Sequence, residues 1–382
     1  MALMTDEPPA TSKIIFVTHE FAPFRGGVAT FVEEVGRTSQ RKGASVEIWA
    51  PDYGLPQSTQ MDCPVVRLRA EGSLKWKHLT QLTRALAERR AELEGATVVM
   101  ASVGAHIAFM MLAISGRVKM KSLVSVLYGS EVLRFGRNPI WRLLAWRLYR
   151  RVEGIVTISE FSRNLIEHSF LSSFRGTIEI APCACSSDAM RNVTAKKIED
   201  GKVRIFTLAR IHPRKGQLDT ALALGRLPAE LRSRVVYQIG GTGDSSYLKK
   251  ISQTCAQAGV AFEYLGEVKP ESLADAYAQC DIFAMTSRRL PRSVEGFGIT
   301  YLDAAFHGNP VVAFKSGGAE EAVRDGETGL LAEEGDLAAV TDIFARLIAD
   351  AGLRERLGAA GRERARQQTW ATAAAVFLRF RG

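Results

Sequence analysis

At 382 residues the chain is long enough for two domains of ordinary size, each with its own core. Its 46% hydrophobic and 24% charged content is that of a soluble globular protein, and no run approaches the roughly 18 uninterrupted apolar residues of a membrane span, which excludes an integral helical membrane protein. The formal net charge of +9 points to an anionic partner, and charge alone leaves nucleotide, phospholipid surface and nucleic acid open.

Met1 to Ser12 is polar and proline-containing, with no basic-then-apolar signal, so a cytosolic protein is expected. The five cysteines (Cys63, Cys183, Cys185, Cys255, Cys280) are odd in number and scattered, as reduced thiols in that compartment would be. Cys183 and Cys185 have no second pair at zinc spacing, and they read as structural. No metal is expected.

The first half alternates strand and helix. Apolar runs at Lys13 to Thr18, Ser45 to Ala50, Val65 to Leu68, Thr97 to Met100, Ser122 to Leu127, Gly154 to Ile158 and Thr177 to Pro182 read as strands of a parallel sheet, with a helical pattern from His78 to Leu93. Gly26 and Gly27 open the first helix. Paired glycines there serve either close approach of a diphosphate or sugar or simply the shape of the turn. His106, beside an apolar helix, reads as a structural histidine rather than a catalytic one.

The stretch from Arg134 to Val152 holds six arginines and no acid, with Trp141, Trp146 and Tyr149 among leucines. A basic amphipathic helix with interfacial aromatics suits an anionic membrane surface; the alternative is a helix packed on the sheet with a solvated arginine face. No recognition motif supports nucleic acid. Ser159 reads as a helix N-cap, and the polar stretch Cys185 to Gly201 as the linker between domains.

The second half opens on a strand from Val203, followed by a loop carrying Arg210, Arg214 and Lys215 before Gly216 and a helix from Gln217. Cations gathered where a strand ends and a helix dipole begins are well built for a pyrophosphate. The strand Val235 to Gly240 ends in the glycine-rich turn Gly240, Gly241, Gly243. Further strands are read at Phe262 to Val268, Cys280 to Met285 and Val311 to Phe314. Before the last of these, Glu295 sits in a glycine-bounded turn (Gly296, Gly298) and Asp303 stands eight positions on in a helix. At about 1.5 Å per residue the two carboxylates lie at most roughly 12 Å apart along its axis, suiting two ends of one extended ligand.

This arrangement resembles the E-x7-E signature of the retaining glycosyltransferases of family 4. The resemblance implies an α/β protein of GT-B architecture, with two Rossmann-like domains facing each other across a cleft: residues 1–185, joined by a C-terminal helix of about 366–382 that crosses back, and residues 186–365. It implies a metal-independent transfer of a hexose-type sugar from a nucleoside-diphosphate sugar, UDP- or GDP-linked, to the hydroxyl of a glycan, lipid or small molecule, in cell-envelope glycan or glycolipid synthesis, with no cofactor. By position in the motifs, Glu295, Arg210 and Lys215 take the catalytic roles. Gly26, Gly27, Gly240, Gly241, Val268, Phe297, Gly298 and Asp303 line the donor, and Tyr128 and Glu131 face the sugar or acceptor. Glu321 falls on another glutamate of the pattern. Two positions depart from it: Tyr128 stands for His, and Asp303 for Glu. A sugar-nucleotide epimerase or phosphorylase of the same fold, and a catalytically silent nucleotide-sugar-binding partner subunit, are the rival readings.

Overall fold

The computed structural model describes residues 13–23, 26–54, 63–115, 120, 122–195 and 198–380. The N-terminal stretch read above as lacking a signal, Met1 to Ser12, lies outside them. The chain divides into two compact units. The first comprises the residues up to Ile158, Arg163–Pro182 and the chain from Trp370 on; the second comprises Ser159–Ser162 and Cys183–Thr369.

In the first unit, β1 (Ile14–Val17), β2 (Val46–Pro51), β3 (Val65–Leu68), β4 (Thr97–Met100), β5 (Ser122–Leu127), β6 (Gly154–Thr157) and β7 (Thr177–Ile180) form one parallel sheet. The order is β3-β2-β1-β4-β5-β6-β7. Strands such as Ile14–Val17 are buried along their whole length because helices cover both faces, which is why they are continuous apolar runs rather than alternating ones. The direction of winding reverses between β1 and β4, so the loops leaving their carboxyl ends diverge there and open a crevice. The last helix, Trp370–Leu378, packs on the first, Gly27–Arg41. Phe377 meets Phe16 edge to face at 5.2 Å between ring centroids, and Trp370 meets Phe31 at 5.8 Å.

The second unit repeats the plan. β8 (Val203–Leu208), β9 (Val235–Gly240), β10 (Ala261–Gly266), β11 (Ile282–Ala284), β12 (Val311–Lys315) and β13 (Gly329–Glu333) form a parallel sheet of order β10-β9-β8-β11-β12-β13. Its winding reverses between β8 and β11. The cationic loop follows β8 and the Glu295 turn follows β11, so this reversal brings together residues some 80 positions apart.

Three elements differ from the sequence reading. β13 was not foreseen; Gly329-Leu-Leu-Ala-Glu is short and glycine-flanked, and only pairing with β12 makes it a strand. The basic stretch is two helices, Ser130–Arg137 and Pro139–Tyr149, rather than one. Pro139 has no N–H to continue the first, and Asn138 caps the second by accepting from the N–H groups of Ile140 (2.9 Å) and Trp141 (3.3 Å). The pattern from His78 to Leu93 likewise divides into Trp76–Glu88 and Arg90–Glu94.

Because Phe377 is 1% exposed and its ring touches both Phe16 and Phe31, Phe377→Ala leaves a cavity that should cost the first unit about 3–5 kcal/mol. Chemical denaturation followed through the first unit's own unfolding transition measures it.

Candidate active site

The loops after β8 and β9 are zipped together. Ala209 donates to the Gly240 carbonyl (3.1 Å), Ile211 to that of Thr242 (2.8 Å), and Asp244 to that of Ile211 (3.0 Å). Gly241 lies at φ 122°, and a β-carbon on it would stand 2.2 Å from the Ala209 carbonyl oxygen, so only glycine allows this approach. The chain then makes a single 3₁₀ turn, Pro213–Lys215. His212 Nδ1 accepts the Arg214 N–H (3.1 Å), which requires a neutral ring; burial first, then Arg210 and Arg214, lower its pKa. Gly216, at φ 72°, passes so close to Thr286 that a β-carbon would strike the Thr286 carbonyl. Arg210 is exposed, and its carbonyl accepts from Gln217 Nε2 (2.9 Å) at the start of helix Gln217–Gly225.

Against this turn lies Glu295, 8% exposed. One of its oxygens, Oε2, accepts from Lys215 Nζ (2.5 Å), Arg214 Nη1 (2.8 Å) and the Ser287 hydroxyl (3.3 Å). Burial alone would push this carboxyl upward, but Lys215 and Arg214 outweigh it and hold it at about 2. Lys215 is lowered from the usual lysine value, by burial first and against the pull of Glu295. One carboxylate against Arg210, Arg214 and Lys215 leaves the loop positive, which is the electrostatic requirement for a diphosphate.

The backbone of the glutamate turn is clamped. Gly318 N–H donates to the Glu295 carbonyl (2.9 Å) and the Ser159 hydroxyl to that of Gly296 (2.7 Å). Glu321 accepts the N–H groups of Glu160 (2.8 Å) and Phe161 (2.7 Å), fixing the segment that carries Ser159. Phe297 is buried, and Gly298 (φ 91°) precedes helix Ile299–Phe306. On that helix Asp303, 3% exposed, accepts from the Ser186 N–H (2.8 Å) and hydroxyl (3.0 Å), one with each oxygen. Val268 is half-buried and its side chain crowds Gly240.

In the first unit, the carboxyl ends of β1, β4 and β5 gather a second polar group. His19 follows β1 and Ser102 follows β4; the Ser102 hydroxyl accepts the His19 N–H (2.9 Å) and pairs with His19 Nδ1 (2.8 Å). Burial, then Arg134, lowers His19 to about 4. Glu131 Oε2 accepts the Tyr128 N–H (3.0 Å), and burial lifts its carboxyl to about 7. The Tyr128 phenol donates to the Ala101 carbonyl (3.3 Å), packed edge-on to Phe31. His106 is buried: its Nδ1 donates to the Ser102 carbonyl (2.7 Å) and its Nε2 accepts from Ser125 (2.8 Å), so it is the satisfied structural histidine expected. A β-carbon on Gly26 would meet Glu20 Oε1 at 2.4 Å, whereas one on Gly27 would meet nothing within 4 Å. A side chain at position 26 would therefore displace the Glu20 carboxylate.

Sequence reasoning left four contributors unassigned: Arg214 as a partner of Glu295, Ser287, the Ser159 contact to Gly296, and His19. Arg214 and His19 carried a local signal, the one a cation beside Lys215 and the other a histidine after β1; Ser159 was readable only as a helix N-cap, and Ser287 carried no signal.

Two parallel doubly wound domains, one ending in a cationic glycine-bounded loop set against a buried glutamate, define the GT-B class of glycosyltransferases. The comparisons with known proteins agree with that class and refine it. The family model "Glycosyl transferases group 1" matches residues 190–364, and "Glycosyl transferase 4-like domain" matches residues 26–177. The chain belongs to the glycosyltransferases of the family 4 type. Over 97% of its length it is 27% identical to the GDP-mannose-dependent alpha-(1-6)-phosphatidylinositol monomannoside mannosyltransferase of Mycobacterium tuberculosis, of which it covers 98%. Among solved structures it resembles the sucrose-phosphate synthase of Thermosynechococcus elongatus (TM-score 0.77, 18% identity, 96% of this chain and 97% of that one). It also resembles Anabaena Alr3699/HepE in complex with UDP and glucose (TM-score 0.73, 18% identity, 96% and 98%).

Glu131 supplies a pH test. Its folded pKa of about 7 is raised above the ordinary 4.5, so the folded state holds its proton more tightly, and stability present below about pH 4.5 is lost as pH rises through 7. Glu131→Gln should therefore raise the melting temperature at pH 8 relative to wild type, and do so less at pH 5.

Proposed function

We propose that this protein is a retaining mannosyltransferase that moves mannose from GDP-mannose to a hydroxyl of a phosphatidylinositol-type glycolipid. The observation that carries the reading is Glu295 held by Lys215 and Arg214 at the winding reversal of the second sheet, where a nucleotide-binding fold presents its ligand. The near full-length likeness to a GDP-mannose-dependent enzyme supports the sugar and base, and a nonpolar acceptor suits the surface described below.

In this mechanism the bond from the anomeric carbon to the diphosphate oxygen breaks and negative charge grows on the leaving group. Lys215 and Arg210 neutralise that charge in place of a metal, and a preorganised donor of this kind is commonly worth about 3 kcal/mol. The acceptor oxygen bonds to the anomeric carbon on the face the diphosphate leaves, and its proton passes to a diphosphate oxygen. Glu295 orients sugar hydroxyls. Gly240, Gly241, Val268, Phe297 and Gly298 frame the nucleotide, with Asp303 beside the ribose. Gly26 and Gly27 approach the donor, and Tyr128 and Glu131 serve the acceptor.

Purified protein should hydrolyse GDP-mannose slowly in the presence of EDTA, and hydrolysis should fall at least about 10²-fold in both Glu295→Ala and Lys215→Ala. Donor binding without turnover against any acceptor would instead mark a silent partner subunit. Loss of activity in EDTA, restored by Mg²⁺, would overturn the metal-independent step.

The reading includes attachment to an anionic membrane surface. Helix Pro139–Tyr149 buries Ala145, Leu148 and Tyr149 but exposes Ile140 (68%), Leu143 (51%) and Trp146 (42%). Arg142, Arg147, Arg150 and Arg151 are exposed around them, with Arg150 4.9 Å from the Trp146 ring centroid. Arg151 also reaches the Ala113 carbonyl (3.5 Å), next to exposed Ile114. Apolar side chains ringed by arginines suit acyl chains beneath anionic headgroups. Co-sedimentation with phosphatidylglycerol liposomes should exceed that with phosphatidylcholine, and Ile140→Asp with Trp146→Asp should abolish the difference. Equal binding to both lipids would remove this part of the reading.

A further inference from the structure

Glu295 is bound by two cations of different chemistry. Lys215 reaches it with an ammonium on a four-carbon stem that can turn elsewhere. Arg214 cannot. Its N–H is bonded to His212 Nδ1 (3.1 Å), its carbonyl accepts from the Arg288 N–H (2.8 Å), and Arg288 is itself locked by a two-pronged pair with Asp219 (2.6 and 2.7 Å). The residue is 9% exposed, and its Nη1 donates to Glu295 Oε2 at 2.8 Å. The backbone of the glutamate turn is pinned by Gly318 on the Glu295 carbonyl and by Ser159 on that of Gly296.

From this we infer a division of labour: Arg214 is the positioning residue that keeps Glu295 ionised and oriented, while Lys215 leaves the carboxylate to bind the donor diphosphate. This rests on the donor site assigned above. The physical reason is that a buried carboxylate stripped of both cations would carry an uncompensated charge. If Lys215 were its only partner, capturing a diphosphate would abandon Glu295 at the moment its orientation matters. A second cation that stays on the carboxylate removes that conflict, and it explains why a single carboxylate oxygen is shared by two neighbouring basic residues. Arg214 then affects the chemical step without touching the diphosphate.

The test separates binding from turnover. GDP affinity by calorimetry and steady-state kinetics with GDP-mannose are measured for wild type, Arg214→Gln, Arg214→Lys and Lys215→Ala. Lys215→Ala should weaken GDP at least tenfold. Arg214→Gln should leave GDP affinity within about threefold yet lower kcat about 10²-fold, and Arg214→Lys should recover part of kcat. An Arg214→Gln protein that loses GDP as Lys215→Ala does would make Arg214 a diphosphate ligand and overturn the proposal, as would unchanged kcat. A readout independent of any donor is the thermal unfolding of wild type, Arg214→Gln, Glu295→Gln and the double variant. The two changes should be strongly non-additive, because each removes the same pair. Additive effects would refute the pairing even if no nucleotide bound, whereas coupling without nucleotide binding would sustain the pair and overturn the assignment of Lys215 and of the donor site.

Discussion

A carboxylate buried with two cations is an unusual load for a protein interior, and much of the second domain is arranged to bear it. Desolvating three charged groups is costly unless each finds a close partner, and here Lys215, Arg214 and Ser287 all converge on one oxygen of Glu295. The convergence depends on the parallel sheet. β8 and β11 are neighbours although some 75 residues separate them, and their loops leave from the same edge. Close backbone passages then bring those loops within reach of one another: Gly216 against Thr286, Gly241 against Ala209, and Gly317 against the Glu295 carbonyl. A side chain at any of these would move the cluster apart.

The strands were legible because a sheet covered on both faces demands short, continuous apolar runs, and Ile14–Val17, Val98 and its neighbours, and Val311–Lys315 are such runs. β13 was not, since Gly329–Glu333 has little strand character without β12 beside it. The basic segment misled for a local reason that was in fact visible. Asn138-Pro139 is a cap followed by a helix-starting proline, and the periodicity of arginines and aromatics on either side obscured it.

The candidate site was legible to the extent that chemistry lies in short motifs. Lys215 and Glu295 are 80 residues apart in sequence and yet in contact, and each was marked by its own glycine-bounded loop. Tertiary partners left no such mark. That Asp303 spends both oxygens on Ser186, that Ser159 holds the Gly296 carbonyl, and that Arg214 rather than Arg210 faces Glu295 are consequences of packing. Residue types at these positions were readable; the direction in which each side chain points was not.

The two sheet edges differ in their electrostatics in a way that bears on the reaction. The second domain's edge keeps its groups charged: Glu295 is held at about 2 by adjacent cations. At the first domain's edge burial works in the opposite sense, lowering His19 and His106 to about 4 and raising Glu131 to about 7. Near neutral pH the histidines there are uncharged, and Glu131 gives up its proton less readily than a solvated carboxyl. A diphosphate requires fixed positive charge, whereas a neutral hydroxyl compound is met by uncharged donors and acceptors. The two edges thus differ in the charge they present, and the balance of burial against neighbouring charge accounts for both.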